Sequence, residues 1–255
     1  MIKSHQYHIQ EKRIALLSKR WLKNHGSGKE YLKLFKLAAS FNYAIVKDFS
    51  HKETDDELTI KYLGSRLFNF GIISYRSLVS GYYQVGFSLI REFLETHFLI
   101  DYFRTNKKEI QRWKNVGNGV KKTDFYPSNL YNKLDDRDQF MGEERKKQYQ
   151  LFCEYALHPT YKGLTLLTNS ENLIETGFFF DDKKLLSGMF ELAKRYSVVS
   201  LSLSPLLRTN SIETINCHIK LLIQFQKLFG TSKTKVSAGK LIKLLKKKKK
   251  VIEEK

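Results

Sequence analysis

The chain has 255 residues with 45 Lys and Arg against 26 Asp and Glu, a formal charge of +19. That length suits one large domain or two small ones. Two isolated cysteines, Cys153 and Cys217, exclude a disulfide framework and a cysteine-rich zinc site, and suit a reducing cytoplasm. Only three prolines are present, and 18 Phe and 14 Tyr supply a large core, which favours long helices over a turn-rich sheet protein.

The first segment, 8–24, has helical spacing through Ile9, Leu16, Leu17 and Trp21, and stops at His25-Gly26-Ser27-Gly28. A second helix over 29–49 uses Leu32, Phe35, Leu37, Phe41 and Ile45. A third starts at Asp55-Asp56, where the helix dipole favours acids, and runs towards Tyr75. It either continues into the next segment or breaks near Gly71 or Ser77.

Residues 77–103, SLVSGYYQVGFSLIREFLETHFLIDYF, are the most apolar helix, predicted to be buried nearly all round. A polar stripe crosses it: Ser77, Gly81, Gln84, Ser88, Arg91 and Glu95 recur at alternating spacings of four and three. Its longest uncharged run, 77–90, is too short to span a bilayer. A short helix follows at 107–115, then a stretch that is mostly loop, 116–137. Residues 138–157 read as a polar helix with Tyr149, Phe152, Tyr155 and Ala156 facing inward, ended by Pro159. Residues 160–180 read as irregular, with a short extended piece at 178–180. Asp181 and Asp182 start a helix to about Leu203, and 211–229 form the last core helix. The fold class expected is all-α: a multi-helix bundle over 1–230 with a buried central helix, and a mobile, Lys-rich tail over 231–255.

Four features carry candidate chemistry. Arg91 and Glu95, one turn apart, form either a fork for phosphate or carboxylate or a self-satisfied ion pair. His97 lies about 120° around the helix from Arg91, and is either an acid/base or a core histidine. His158 sits at a helix end before Pro159. With Tyr155, Tyr161 and Lys162 around it, it is either an acid/base and anion-holding cluster or a helix stop. The run Lys246–Lys250 is a polyanion-binding segment or a solvated tail. No Gly-rich phosphate loop, His-Glu-x-x-His or Gly-x-Ser-x-Gly motif occurs, so no metal or cofactor is expected. The N-terminal stretch lacks an apolar signal core, which points to a cytoplasmic protein without a membrane span.

The block from Gly81 to Trp113, with Arg91-x-x-x-Glu95, and the later Tyr155-x-x-His158-Pro159 resemble a family of bacterial helical proteins known only as a domain of unknown function. Arg91-x5-His97 is also similar to the Arg-x4–6-His motif of HEPN proteins, with Glu92 where those motifs commonly carry Asn, Asp or His. That resemblance implies an all-α, often dimeric protein, and a metal-independent RNase of a toxin or phage-defence system or an inactive relative. Arg91 would hold the scissile phosphate, with Glu95 orienting it. His158 or His97 would move the proton, and the RNA 2′-hydroxyl would attack. Gln84, Ser88, Tyr155, Tyr161 and Lys162 would bind substrate. The alternative is a non-catalytic helical module that binds RNA, another polyanion or a protein partner. A third reading is a pocket for an anionic ligand lined by Tyr82, Tyr83 and Arg91.

Overall fold

A computed structural model describes residues 4–49 and 51–254, apart from the side chains of residues 4, 5 and 233. It is an all-α bundle of ten helices among these residues. They are α1 (Ser4–Asn24), α2 (Gly26–Lys47), α3 (Asp55–Val79), α4 (Tyr83–Thr105), α5 (Lys108–Lys114), α6 (Pro127–Asp138), α7 (Glu144–Phe152), α8 (Asp182–Leu203), α9 (Ile212–Phe229) and α10 (Ser232–Glu253). Two isolated bridges, Val116 with Val120 and Thr168 with Ile174, are the sole β pairing among the described residues. Among the described residues no helix is long and apolar enough to cross a membrane.

Local chemistry sets the helix ends. The His25 ring accepts from Gly28 N–H at 3.1 Å, so the break between α1 and α2 narrows to one residue. Thr54 and Glu57 form a reciprocal capping box at α3, at 3.2 and 2.9 Å. Asp181 caps α8 through Lys184 N–H at 2.9 Å, and Ser211 caps α9 through Thr214 N–H at 3.3 Å.

Helices α2, α3, α4 and α8 pack together as the centre of the bundle, and α4 also meets α6 and α7. Ile90, Phe93, Phe98, Ile100 and Phe103 of α4 are 0–3% exposed, which makes it the buried central helix. The Tyr83 hydroxyl accepts from Asp181 N–H at 2.9 Å and donates to Asp181 C=O at 3.1 Å. That pair of bonds pins the start of α4 to the start of α8.

Three expectations need correction. The apolar segment 77–103 is not one helix. Ser77 belongs to α3, and Gly81 sits in the connection with φ +86°. Tyr82 N–H bonds Ser77 C=O at 2.9 Å and Gly81 N–H bonds Leu78 C=O at 3.1 Å, the two bonds of a Schellman stop. The polar stripe on α4 therefore shortens to Gln84, Ser88, Arg91 and Glu95.

Residues 127–138 are helix, not loop. Pro127 occupies the first turn, and Leu130, Tyr131 and Leu134 face the core. The acids at the far end oppose the helix dipole, which hides the helix in the sequence. Arg145 pairs with Asp135 and Asp138, and Arg137 pairs with Asp101 at 3.0 Å and Asp138 at 2.7 Å. The polar helix read over 138–157 is accordingly split. Left-handed residues Gln139 and Glu143 flank a turn before α7, which ends in a π turn, Cys153–Leu157.

Residues 232–253 of the Lys-rich tail also form a helix. A two-residue link, Gly230-Thr231, folds α10 back against α9. Ala238, Ile242, Leu245, Lys249 and Ile252, spaced by four and three, are its more buried positions. A Thr231–Thr234 capping box starts it, with bonds of 3.3 and 2.9 Å.

Candidate functional site

The stripe on α4 is tied down from α7 and the π turn. Ser88 Oγ lies 2.9 Å from Gln84 C=O and 2.7 Å from Ala156 C=O, and its one proton serves either. One turn on, Arg91 Nη1 donates to Glu95 Oε1 and, at 3.3 Å, to Tyr149 Oη. Tyr149 Oη donates to the same Glu95 oxygen at 2.8 Å. The Arg91 guanidinium carbon stands 5.5 Å from the Tyr149 ring centre, a cation–π contact. Arg91 Nη2 is 3.9 Å from Glu92, which itself holds Arg66 at 2.7 Å.

Burial works against the Arg91 charge, and Glu95, Tyr149 and Cys153 together outweigh it, so the guanidinium pKa lies above its ordinary value. Burial, then the bond to Glu95, pushes the Tyr149 phenol up as well, so it stays a proton donor. The Arg91 side chain is only 12% exposed. Its Nε is buried with no partner. Four of its five N–H groups thus lie on the fork that faces Glu95, Tyr149 and Glu92. The Arg91 charge is answered by Glu95 through Nη1, while Nη2 is 3.9 Å from the carboxylate of Glu92.

Glu95 also borders a cleft of about 530 Å³ with Glu92, Arg66, Tyr62, Trp113 and Lys122. Neither histidine borders it. His97 faces away, into a cavity of about 150 Å³ with Phe93, Phe98, Arg145 and Arg195. Burial lowers its pKa to about 4; Asp101 opposes the shift, and Arg145, Arg104 and Arg195 assist it. The ring is therefore neutral at pH 7.

His158 is exposed, its N–H closing the π turn onto Cys153 C=O at 2.9 Å. No hydrogen bond joins its ring to the α4 stripe among the described residues. Tyr161 is 90% exposed, and Lys162 pairs with Glu154 at 2.8 Å. Tyr155 is half-buried at an apolar cavity of about 210 Å³ with Phe87, Leu151, Phe152 and Leu166. The structure thus gathers Gln84, Ser88, Arg91 and Glu95, and leaves His97, His158 and the pair Tyr161–Lys162 in separate surroundings. No group of three His, Cys, Asp or Glu is placed to hold a metal ion among the described residues.

Sequence reasoning placed Tyr149 facing inward but did not pair it with Glu95, because no local pattern marks a contact 54 residues apart. It also missed the cluster at the start of α3. There Arg208 holds Glu57 at 2.7 Å, while Lys61, 4% exposed, pairs with Glu53 at 2.7 Å.

Removing one partner of the α4 pair is expected to expose its structural role. Glu95→Leu leaves Arg91 half-buried without its carboxylate and should lower stability by about 2 kcal/mol. Arg91→Met combined with Glu95→Leu should recover most of that loss. Urea denaturation of both variants measures the coupling; equal losses in the single and double variants would refute it.

No family model, curated protein or solved structure matches the chain.

Proposed function

We propose that the protein is a non-catalytic helical module that binds a polyanion, RNA in the first instance, through α10. The observation that carries this reading is the ordered presentation of the lysines. Ala238, Ile242 and Leu245 turn one side of α10 toward the bundle. Lys235, Lys240, Lys243, Lys246, Lys247, Lys248 and Lys250 are exposed. Among its described residues only Lys249 has an acid partner on the helix, Glu253 at 3.5 Å. A helix of this length extends about 33 Å and offers its charges to successive phosphates.

A HEPN-like RNase needs Arg91 and a histidine at one phosphate. Arg91 is occupied by Glu95, His97 faces the opposite cavity, and His158 has no bond to the stripe. That arrangement favours the binding module over the enzyme.

Fluorescence anisotropy with a single-stranded RNA at several salt concentrations tests the proposal, with gel analysis of the same RNA for cleavage. Replacing Lys246–Lys250 by Gln should weaken binding at least about tenfold near 0.1 M salt. The slope of log K against log salt should fall by about 2 as roughly three phosphate contacts are lost. RNA should remain intact. An unchanged slope would refute the role of α10. Cleavage abolished by Arg91→Ala would establish the enzyme instead. Preferential binding to anionic vesicles over RNA would reassign α10 to a membrane surface.

A further inference from the structure

Another cavity lies away from the α4 stripe. It is a groove of about 660 Å³ between α1 and the last two turns of α3, closed at one end by the Gly81 connection. On the α1 side, Lys12, Ala15 and Lys19 border it. They fall on one face because they are spaced by three and four. On the α3 side, Ile72, Tyr75, Arg76 and Val79 border it in the same way, and Phe35 of α2 lies beneath. The Phe35 and Tyr75 rings stack with centres 4.9 Å apart, which makes a rigid apolar wall.

The charges around this groove are uneven. Lys12, Lys19 and Arg76 are exposed and have no acid partner among the described residues. The one carboxylate in the lining, Glu11, lies 3.9 Å from His8 Nδ1. Elsewhere Arg66, Arg91, Arg112, Arg137, Arg145 and Arg195 are all paired with carboxylates. Three unanswered cations over an apolar floor are complementary to an anion that carries an apolar body. The apolar strip of Ala15, Phe35, Ile72 and Val79 suits a hydrocarbon chain, which requires no hydrogen-bonding partner.

We infer that the α1–α3 groove is a binding site for a long-chain carboxylate, the chain lying along Ala15, Phe35, Ile72 and Val79 and the carboxylate held by Arg76 with Lys12 and Lys19. Arg presents a planar fork that matches a carboxylate, and the two lysines add charge at the mouth. The site is independent of α10 and goes beyond the polyanion reading.

Isothermal titration of the full chain with laurate, well below its micelle concentration, tests the site. Laurate should bind at about 1:1 with a micromolar dissociation constant. Acetate, which has the head alone, and dodecyltrimethylammonium, which has the tail with opposite charge, should each bind at least tenfold more weakly. Lys19→Ala with Arg76→Ala should weaken laurate at least tenfold. Ala15→Phe, which fills the groove and leaves every charge in place, should do the same. The Lys246–Lys250 to Gln variant should bind laurate as the unaltered chain does. Laurate affinity that survives both groove variants overturns the proposal, as does affinity lost with the α10 lysines, because that marks adsorption to a basic surface. Thermal melts of the variants, all at solvent-facing or partly exposed positions, confirm that the fold is kept.

Discussion

Acidification from pH 6.5 to pH 4 is expected to remove about 5 kcal/mol of stability through histidine protonation. The cause is two enclosed histidines. Burial lowers the pKa of His97 and of His218 to about 4 each. His218 is 3% exposed, with its ring stacked on Phe41 at 4.6 Å and its Nδ1 3.4 Å from Ser204 Oγ. His97 faces Asp101 together with Arg145, Arg104 and Arg195, and the three cations outnumber the carboxylate.

In the unfolded chain both rings take up a proton near pH 6.5. In the folded chain they do so only near pH 4. The unfolded state therefore binds more protons over this interval, and stability falls as pH falls. Each ring contributes about 2–3 kcal/mol to that loss, which is complete once pH is below the folded values. A second loss overlaps the first from about pH 5 downwards. Asp138 is held at about 2 by Arg137 and then Arg145, and Arg208 keeps Glu57 well below the usual carboxylate range. Their contribution is full only above the unfolded carboxylate range and disappears as the pH falls through the folded values. Urea unfolding at half-unit steps of pH measures the curve. His218→Gln should halve the slope between about pH 6.5 and 5, and a flat profile there would refute the account.

Gly81→Ala should destabilise the fold by about 3–4 kcal/mol and lower the melting temperature by about 10 °C. Two effects combine. Gly81 has φ +86°, a conformation that disfavours any residue with a Cβ. A Cβ there would also stand 2.3 Å from the Phe179 carbonyl oxygen. Backbone cannot swing aside as a flexible side chain can. This backbone is held, because Phe179 packs edge-on to Tyr83 at 5.2 Å and Tyr83 bonds Asp181. Gly117→Ala is the matched control. Its φ is +94°, and nothing stands within 4 Å of the new Cβ, so it should cost about 1 kcal/mol. Equal melting temperatures for the two variants would contradict the role of the Phe179 contact.

Most helices were legible because their apolar residues recur with helical period and their ends carry caps. Asp55, Asp181 and Ser211 read as starts, and Thr54, Asp181 and Ser211 cap those helices. Two of the misread elements share a cause: the decisive interaction lies far away in sequence. Segment 127–138 reads as loop because its acids oppose the helix dipole, and the arginines that answer Asp135 and Asp138 come partly from α7. The break at Gly81 is a Schellman stop locally, but it is required by the close passage of Phe179. The α10 helix has a legible stripe at 238, 242, 245 and 252, which the density of lysines masks.

The candidate site divides along the same line. Helical spacing alone places Ser88, Arg91 and Glu95 on one face, and composition alone marks the chain as strongly basic. Whether the Arg91 fork is free depends on Tyr149 arriving from α7, 58 residues away. The histidines show the same dependence. Backbone angle separates His97 from Arg91, but only burial in the assembled bundle, assisted by Arg145, Arg104 and Arg195, lowers its pKa. Periodicity is a property of neighbours in the chain, so it is written in order along it. Pairing and desolvation are properties of neighbours in space, and those are settled only when the helices meet.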